Sequence, residues 1–104
     1  MISNKINDIE LILCRAEERV CNKSVSKITH IEHSDHVYFY GSTELFNRTN
    51  FLQLVSGFLS IGISQSNQQI TGITIKKENL EQAAQDLKSV VSQLVSTAKA
   101  VEKF

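Results

Sequence analysis

The chain has no proline, and its four glycines are widely separated along the sequence. This separation excludes a glycine-rich loop of the kind that cradles phosphate groups. The longest apolar stretch, residues 51–63, is too short for a membrane span and contains several polar residues. Because no linker or low-complexity tract interrupts the 104 residues, we expect one domain over residues 1–104 and no membrane partner.

A surplus of charge of one sign is also missing, because 11 Lys and Arg residues balance 11 Asp and Glu residues. Proteins that bind nucleic acids electrostatically carry a basic surplus, so we expect no nucleic-acid partner. A net charge near zero also removes one barrier to self-association. The first ten residues are polar and partly acidic, unlike a secretory signal, and we therefore expect a cytoplasmic location.

Cysteine is scarce, since only Cys14 and Cys21 are present. In a helix this spacing corresponds to about 10 Å along the axis, which is too far for a disulfide. We expect two reduced, half-buried thiols, and a redox pair or a pair of metal ligands is the alternative.

Both ends of the chain carry apolar residues at alternating spacings of three and four, the pattern of an amphipathic helix. The first stripe predicts a helix over about residues 3–22. The second predicts a helix over about residues 78–103, where Asn79 and Gln82 resemble a capping box. The second stripe consists of Leu80, Ala84, Leu87, Val91, Leu94, Ala98 and Val101.

Between the terminal helices, residues 25–31 and 36–41 are rich in β-branched and aromatic side chains. Such segments favour strands. A Ser-Asp pair at 34–35 separates the two segments, so we predict a hairpin with a short loop.

A further helix is predicted to start after Ser42 or Thr43 and to end near Gly57, and residues 58–63 after it have two interpretations. Leucine and isoleucine alternate here with small polar residues, as in a half-buried strand. Alternatively, the helix continues to about residue 63, which would reduce the sheet to three strands. The glycines and β-branched residues favour the strand.

After a loop over the sequence SQSNQQ, residues 69–76 predict one more strand. The preferred order is therefore α-β-β-α-β-β-α. It predicts an α+β fold with a small antiparallel sheet of about four strands, and with the long N- and C-terminal helices packed on one face.

All three histidines lie around the predicted hairpin turn. With a two-residue turn, His33 stands opposite His36, and side-chain alternation places both on the face of the two tyrosines. His30 then points to the other face. Three imidazoles cannot converge on one metal ion within one subunit in this arrangement, so we assign no metal site and no cofactor.

Two other interpretations of the histidines stay open. His33 and His36 could bind a metal ion or a small molecule if Asp35, Cys21 or a symmetry mate completes the site. They could also form a pH-responsive contact, because two imidazoles charged near pH 6 would repel each other.

Tyr38 and Tyr40 lie on the same strand face because their spacing is two residues. Tyrosine suits protein interfaces that are apolar on one side and wet on the other. Stacking on bases is less favoured because basic companions are few. We expect Tyr38, Tyr40, His33 and His36 to form a protein-binding surface.

The predicted C-terminal helix is long for a domain of this size. A helix over residues 78–103 would span about 39 Å, whereas a compact domain of this length has a diameter of about 33 Å. Its apolar stripe continues to the last residue, so an uncovered end would cost solvation free energy. We therefore expect a homodimer, with Leu94, Val101 and Phe104 as self-association residues.

The sequence has no nucleophile-elbow serine and no paired carboxylates that would suggest catalysis. Glu17 and Glu18 are interpreted as part of a solvated helix face. The sequence therefore favours a non-enzymatic protein-binding domain of regulator, adaptor, chaperone-like or inhibitor type that acts as a small homodimer. The alternative is a metal- or small-molecule-binding domain, with or without catalysis, centred on the histidine-rich hairpin.

Overall fold

The computed structural model describes residues 2–21 and 28–102, and within them the side chains of residues 4–20 and 28–94. It shows an α+β fold with a four-stranded antiparallel sheet, as predicted, and the order of elements roughly matches the prediction. The elements are α1 (Ile2–Cys21), β1 (Thr29–Glu32), β2 (His36–Tyr40), α2 (Thr43–Phe46), α3 (Thr49–Val55), β3 (Gly62–Ser66), β4 (Gln69–Lys76), a 3-10 turn (Lys77–Asn79) and α4 (Leu80–Glu102).

The two terminal helices form where the apolar spacing predicts them, and they pack against each other. Helix α1 begins one residue earlier than predicted. Helix α4 begins two residues later, because the 3-10 turn precedes it. The predicted ends at residues 22 and 103 lie outside the described residues. None of the described helices is long and apolar enough to cross a membrane.

The sheet order is β1-β2-β4-β3, with every neighbouring pair antiparallel. In the first hairpin, Ile31 pairs with Tyr38 and His30 pairs with Phe39, which confirms the predicted register. The backbone N–H of His33 donates to the carbonyl oxygen of His36 at 2.8 Å and closes the two-residue turn. The predicted start of β1 at residues 25–27 lies outside the described residues.

The predicted single helix after Ser42 is wrong in one respect, because Asn47 and Arg48 divide it into α2 and α3. Ser42 does cap α2, since its Oγ accepts from the Leu45 N–H at 3.3 Å. The Asn47 side chain donates to the Thr43 carbonyl at 2.7 Å and exchanges two hydrogen bonds with the Ile70 backbone, at 2.9 and 3.0 Å. Side-chain bonds of this kind compete with helical ones and end the first helix.

A strand does follow α3, but it begins at Gly62, so the prediction of a strand over residues 58–63 is wrong for residues 58–61, which form a turn and loop. Helix α3 ends at Val55, so the continuous helix is wrong. Leu59 is fully exposed in the loop before β3, whereas Ile61 is buried. The Ser60 hydroxyl donates to Asp86 on α4 at 2.5 Å and holds this loop against the helix.

The predicted loop over SQSNQQ is shorter than expected. Only Asn67 and Gln68 form the turn, and both have positive φ, of 51° and 66°. Two consecutive residues in this region give a turn whose twist matches that of the flanking strands. The hairpin also contains a register shift between Ser64 and Gln65, which leaves Thr71 as an extra residue in β4.

The core lies between the helices and one face of the sheet. Val37 and Phe39 of β2 pair with Ile75 and Ile73 of β4, and all four are fully buried. They join a single apolar cluster with the buried residues of all four helices. Residues that alternate with them on β2 stay partly exposed, so the helices cover one face and leave the other open.

Candidate functional site: the open face of the sheet

The open face is the side of the sheet that points away from the helices. The strand registers place on it the residues that alternate with the core positions. They are Thr29, Ile31, His33, His36, Tyr38, Tyr40, Gly62, Ser64, Gly72, Thr74 and Lys76. Lys76 is the one Lys, Arg, Asp or Glu in this set, so the open face is almost free of formal charge.

The two predicted interface tyrosines form its centre. The rings of Tyr38 and Tyr40 stack with centroids 5.4 Å apart and an interplanar angle of 11°. Both side chains are half-buried, and Ile31 beside them is exposed. The two rings therefore pack against each other as one aromatic cluster on this face.

Gly72 explains why the rings can lie so close to β4. A Cβ atom at this position would come within 3.0 Å of Cε1 of Tyr38 and within 2.1 Å of the Phe39 carbonyl oxygen. Glycine is therefore required where the backbone of β4 approaches β2, and its missing side chain leaves room for the Tyr38 ring.

The two histidines of the predicted surface lie at the end of the open face. The rings of His33 and His36 stack with centroids 4.5 Å apart, and Asp35 contacts Nδ1 of His36 at 2.7 Å. The hydrogen bond with His36 lowers the pKa of the Asp35 carboxyl below its ordinary value. The structure thus brings Tyr38, Tyr40, His33 and His36 onto one face, as the pattern predicts.

Residues beyond the turn hold the end of the hairpin in place. The Lys77 N–H donates to the Asp35 carbonyl at 3.0 Å, and the Lys77 ammonium pairs with Glu32 at 2.8 Å. The hydrogen bond from Lys77 lowers the pKa of Glu32. The stacked histidines therefore sit on a turn that is tied to the start of α4.

His30 lies on the opposite face, as predicted. Its Nδ1 contacts Glu10 of α1 at 2.5 Å, and its ring packs 6.2 Å from the Phe39 ring. The sheet itself separates His30 from His33 and His36, so the three imidazoles do not share a site. His30 instead connects β1 to α1.

The metal or small-molecule alternative has a limited set of ligands. Within the described ranges, no group of three or more His, Cys, Asp or Glu side chains is arranged to hold a metal ion. Cys14 is a half-buried free thiol, as expected, and the Cys21 side chain lies outside the described residues. A site at this hairpin would start from His33 and His36, with the Asp35 carboxylate against Nδ1 of His36.

The self-association residues are only partly placed. Leu94 is 4% exposed and packs in the core of its own chain, so it offers little surface to a second subunit. The side chains of Val101 and Phe104 lie outside the described residues. Self-association through the C-terminal helix therefore stays a prediction.

Glu17 differs from the sequence interpretation, whereas Glu18 is exposed as expected. Glu17 is 5% exposed, and its Oε1 atom has no hydrogen-bond partner within the described part of the chain. An unsatisfied buried polar atom costs about 1–3 kcal/mol. The spacing did carry a signal, because Glu17 follows the buried Leu13 by four residues and so lies beside the apolar stripe of α1.

Sequence reasoning missed the β3–β4 half of the open face. Ser64 and Thr74 meet there through their hydroxyls at 2.8 Å. The sequence does carry one sign that this half of the face is uncharged, because residues 49–75 contain no Asp, Glu, Lys or Arg. The positions of these residues on the face depend on the register shift, which has no local signature.

No family model matches the chain, and comparisons with curated proteins and with solved structures find no significant match. The function is therefore inferred from the residues of the chain alone. On an ordinary solvated sheet, polar and charged side chains alternate with the core residues. The open face of this sheet differs, because it carries stacked tyrosines and almost no formal charge.

Proposed function

We propose that the chain is a non-enzymatic protein-binding domain of regulator, adaptor, chaperone-like or inhibitor type that acts as a small homodimer. The partner protein binds on the open face, around Tyr38 and Tyr40. One observation carries the proposal: a sheet face that no described helix covers presents stacked tyrosines and almost no formal charge.

The composition of the face supports a protein rather than another partner. The cores of protein interfaces are enriched in tyrosine and depleted of charged side chains. Tyrosine also contributes a large contact area at a low cost in side-chain entropy. A nucleic acid would require a basic surplus, and the balanced charge of the chain gives none. A cytosolic location belongs to the same proposal, and the free Cys14 thiol suits a reducing compartment.

The test compares proteins captured from a lysate of the cells that make this chain. The tagged wild type is used beside a Tyr38→Ser/Tyr40→Ser variant and a Leu11→Ser control. Leu11 is 59% exposed on α1, away from the sheet, so its change also removes exposed apolar area. We expect the partner to be retained by the wild type and the control and to be lost by the tyrosine variant.

The captured partner is then purified and titrated against each chain. Loss of both tyrosine rings should weaken binding at least tenfold, or about 1.4 kcal/mol. Circular dichroism verifies that each variant is folded. Equal affinity for the tyrosine variant and the wild type would contradict the proposal.

A second candidate function is metal or small-molecule binding at the hairpin, which the His33–His36 stack favours. A carboxylate that orients a histidine, as Asp35 does for His36, is common around bound metal ions. If zinc or nickel binds there, the thermal midpoint should rise by several degrees in the wild type and not in His33→Ala. An unchanged midpoint at a large excess of metal would exclude metal binding at this hairpin.

A further inference from the structure

We infer that the outer edge of β3 pairs with the β3 edge of a second copy of this chain, so that two four-stranded sheets join into one sheet of eight strands. This inference rests on the homodimer in the proposed function, and it assigns the interface to β3 instead of the C-terminal helix, where Leu94 is buried in its own chain. The pairing is antiparallel, about a twofold axis near Ser64 at the middle of the strand.

The first reason is that β3 is an unprotected edge. Among the strands that the structure describes it is the last of the sheet and is bonded to β4 alone, and four of its five residues are exposed. Natural edge strands are usually protected by lysine, proline or a bulge in the edge strand. Strand β3 has neither residue, and the extra residue of the register shift lies in β4. Its unpaired backbone groups are therefore available to another strand.

The other edge of the sheet differs. Strand β1 carries Glu32, which pairs with Lys77, and His30, which contacts Glu10. Charged side chains on an edge discourage the approach of a second strand. The contrast between the two edges assigns the pairing to β3.

The second reason is the exposed apolar area beside this edge. Four large apolar side chains are exposed in the described residues, and two of them, Leu59 and Ile63, lie beside or in β3. Leu59 is fully exposed, and Ile63 is 38% exposed. A second copy along this edge would remove part of that area from water, which favours association.

The third reason is self-complementarity, and it selects a second copy rather than an unrelated peptide. In a twofold interface, residues near the axis face their own copies, so a charge there would meet a like charge. The edge lies within residues 49–75, which contain no Asp, Glu, Lys or Arg. Ser64 would face Ser64 of the partner subunit, which is small and uncharged.

The fourth reason is the area of the open face. Four strands about 4.8 Å apart and roughly five residues long give a flat area of roughly 320 Å². A standard protein interface buries about 800 Å² on each partner. A twofold axis perpendicular to the sheet places both open faces on the same side, so edge pairing doubles the surface that the partner protein can contact.

The test measures self-association by sedimentation equilibrium at micromolar concentrations. The wild type should approach twice the chain mass of 11.7 kDa. A Gln65→Lys/Ser66→Lys variant puts two cations on each edge and should weaken dimerisation at least tenfold. An Asn7→Lys/Gln85→Lys variant has the same added charge on exposed helix positions and should associate like the wild type.

A charge-reversed variant gives the sharper test. Gln65→Glu/Ser66→Glu alone should also be monomeric, because twofold pairing brings like charges together. An equal mixture of the lysine and glutamate variants should dimerise again, which an interface elsewhere does not predict. In the wild type, amide exchange at residues 62–66 should slow as concentration rises, and this measurement needs no variant.

The outcomes separate this inference from the proposed function. A monomeric wild type would overturn both the edge pairing and the homodimer. A dimer that the edge lysines leave intact, or a mixture that fails to restore association, would overturn the pairing alone. Loss of partner capture by the tyrosine variant concerns the open face and is independent of either result.

Discussion

The two hairpins of the sheet are stabilised by different interactions. Around the β1–β2 hairpin, an ion pair joins Glu32 to Lys77, and the Glu10 carboxylate contacts the His30 ring. The β3–β4 hairpin has no charged side chain before Lys76, and its contacts are hydroxyl and amide hydrogen bonds and a close approach of two backbones. Charge thus anchors one hairpin, and backbone geometry anchors the other.

This difference matters for how the chain meets partners. Charged edges resist further strand pairing, and uncharged edges permit it. The first hairpin is therefore suited to remain the border of the sheet, while the second is suited to continue it. The tyrosines lie on β2, the strand of the first hairpin that pairs with β4 of the second.

The largest expected effect comes from the backbone contact of the second hairpin. Gly72→Ala should destabilise the protein by about 3 kcal/mol, because the new methyl group would collide with the Phe39 carbonyl oxygen. Gly57→Ala is the matched control, since its Cβ would meet nothing closer than 3.4 Å. Denaturant unfolding of both variants measures the difference, and equal stabilities would contradict the geometry.

A smaller effect is expected from the amide clamp between α2 and β4. Asn47→Ala removes two hydrogen bonds with the Ile70 backbone and one with Thr43, and should cost about 2 kcal/mol. Asn50→Ala, at an exposed position of α3, should change the unfolding free energy far less. Because these hydrogen bonds join neutral groups, the cost of Asn47→Ala should be the same at low and at high salt.

The contact between Glu10 and His30 beside the first hairpin should contribute less. Glu10→Gln weakens the contact with His30 and should cost about 0.5–1 kcal/mol, since both side chains are partly exposed. Glu18→Gln removes the same charge from an exposed position on α1 and is the control. The difference between them should shrink as salt is added. If salt did not change the stability cost of Glu10→Gln, the claim that charge stabilises the first hairpin would be contradicted.

The smallest effect is the acid response of the hairpin end. Lys77 lowers the pKa of Glu32 below its ordinary value of 4.5. A carboxyl with a lowered folded pKa contributes stability that is present above the unfolded pKa and is lost as pH falls through the folded one. Thermal midpoints should therefore fall slightly more below about pH 4.5 for the wild type than for Lys77→Met. Lys88→Met, on the exposed side of α4, should behave like the wild type.

The candidate site was predictable where its geometry is local. A two-residue turn determines the register of the strands beside it, so His33, His36, Tyr38 and Tyr40 could be placed on one face from spacing alone. The β3–β4 half of the face could not be placed. Its register depends on a shift within the ladder and on Gly72, whose requirement appears only when β2 lies beside β4.

The same distinction runs through the fold. Local sequence determined α1 and α4 through apolar spacing that reports the helical period. It determined the first hairpin and the strand over residues 69–76 through β-branched and aromatic side chains between turn residues. Tertiary structure alone decided the break at Asn47, whose partner Ile70 is 23 residues away, and the late start of β3. It also decided which face of the sheet stays open. Hydrogen bonds and close contacts between distant segments leave no periodic trace in the sequence, so only the folded chain reveals them.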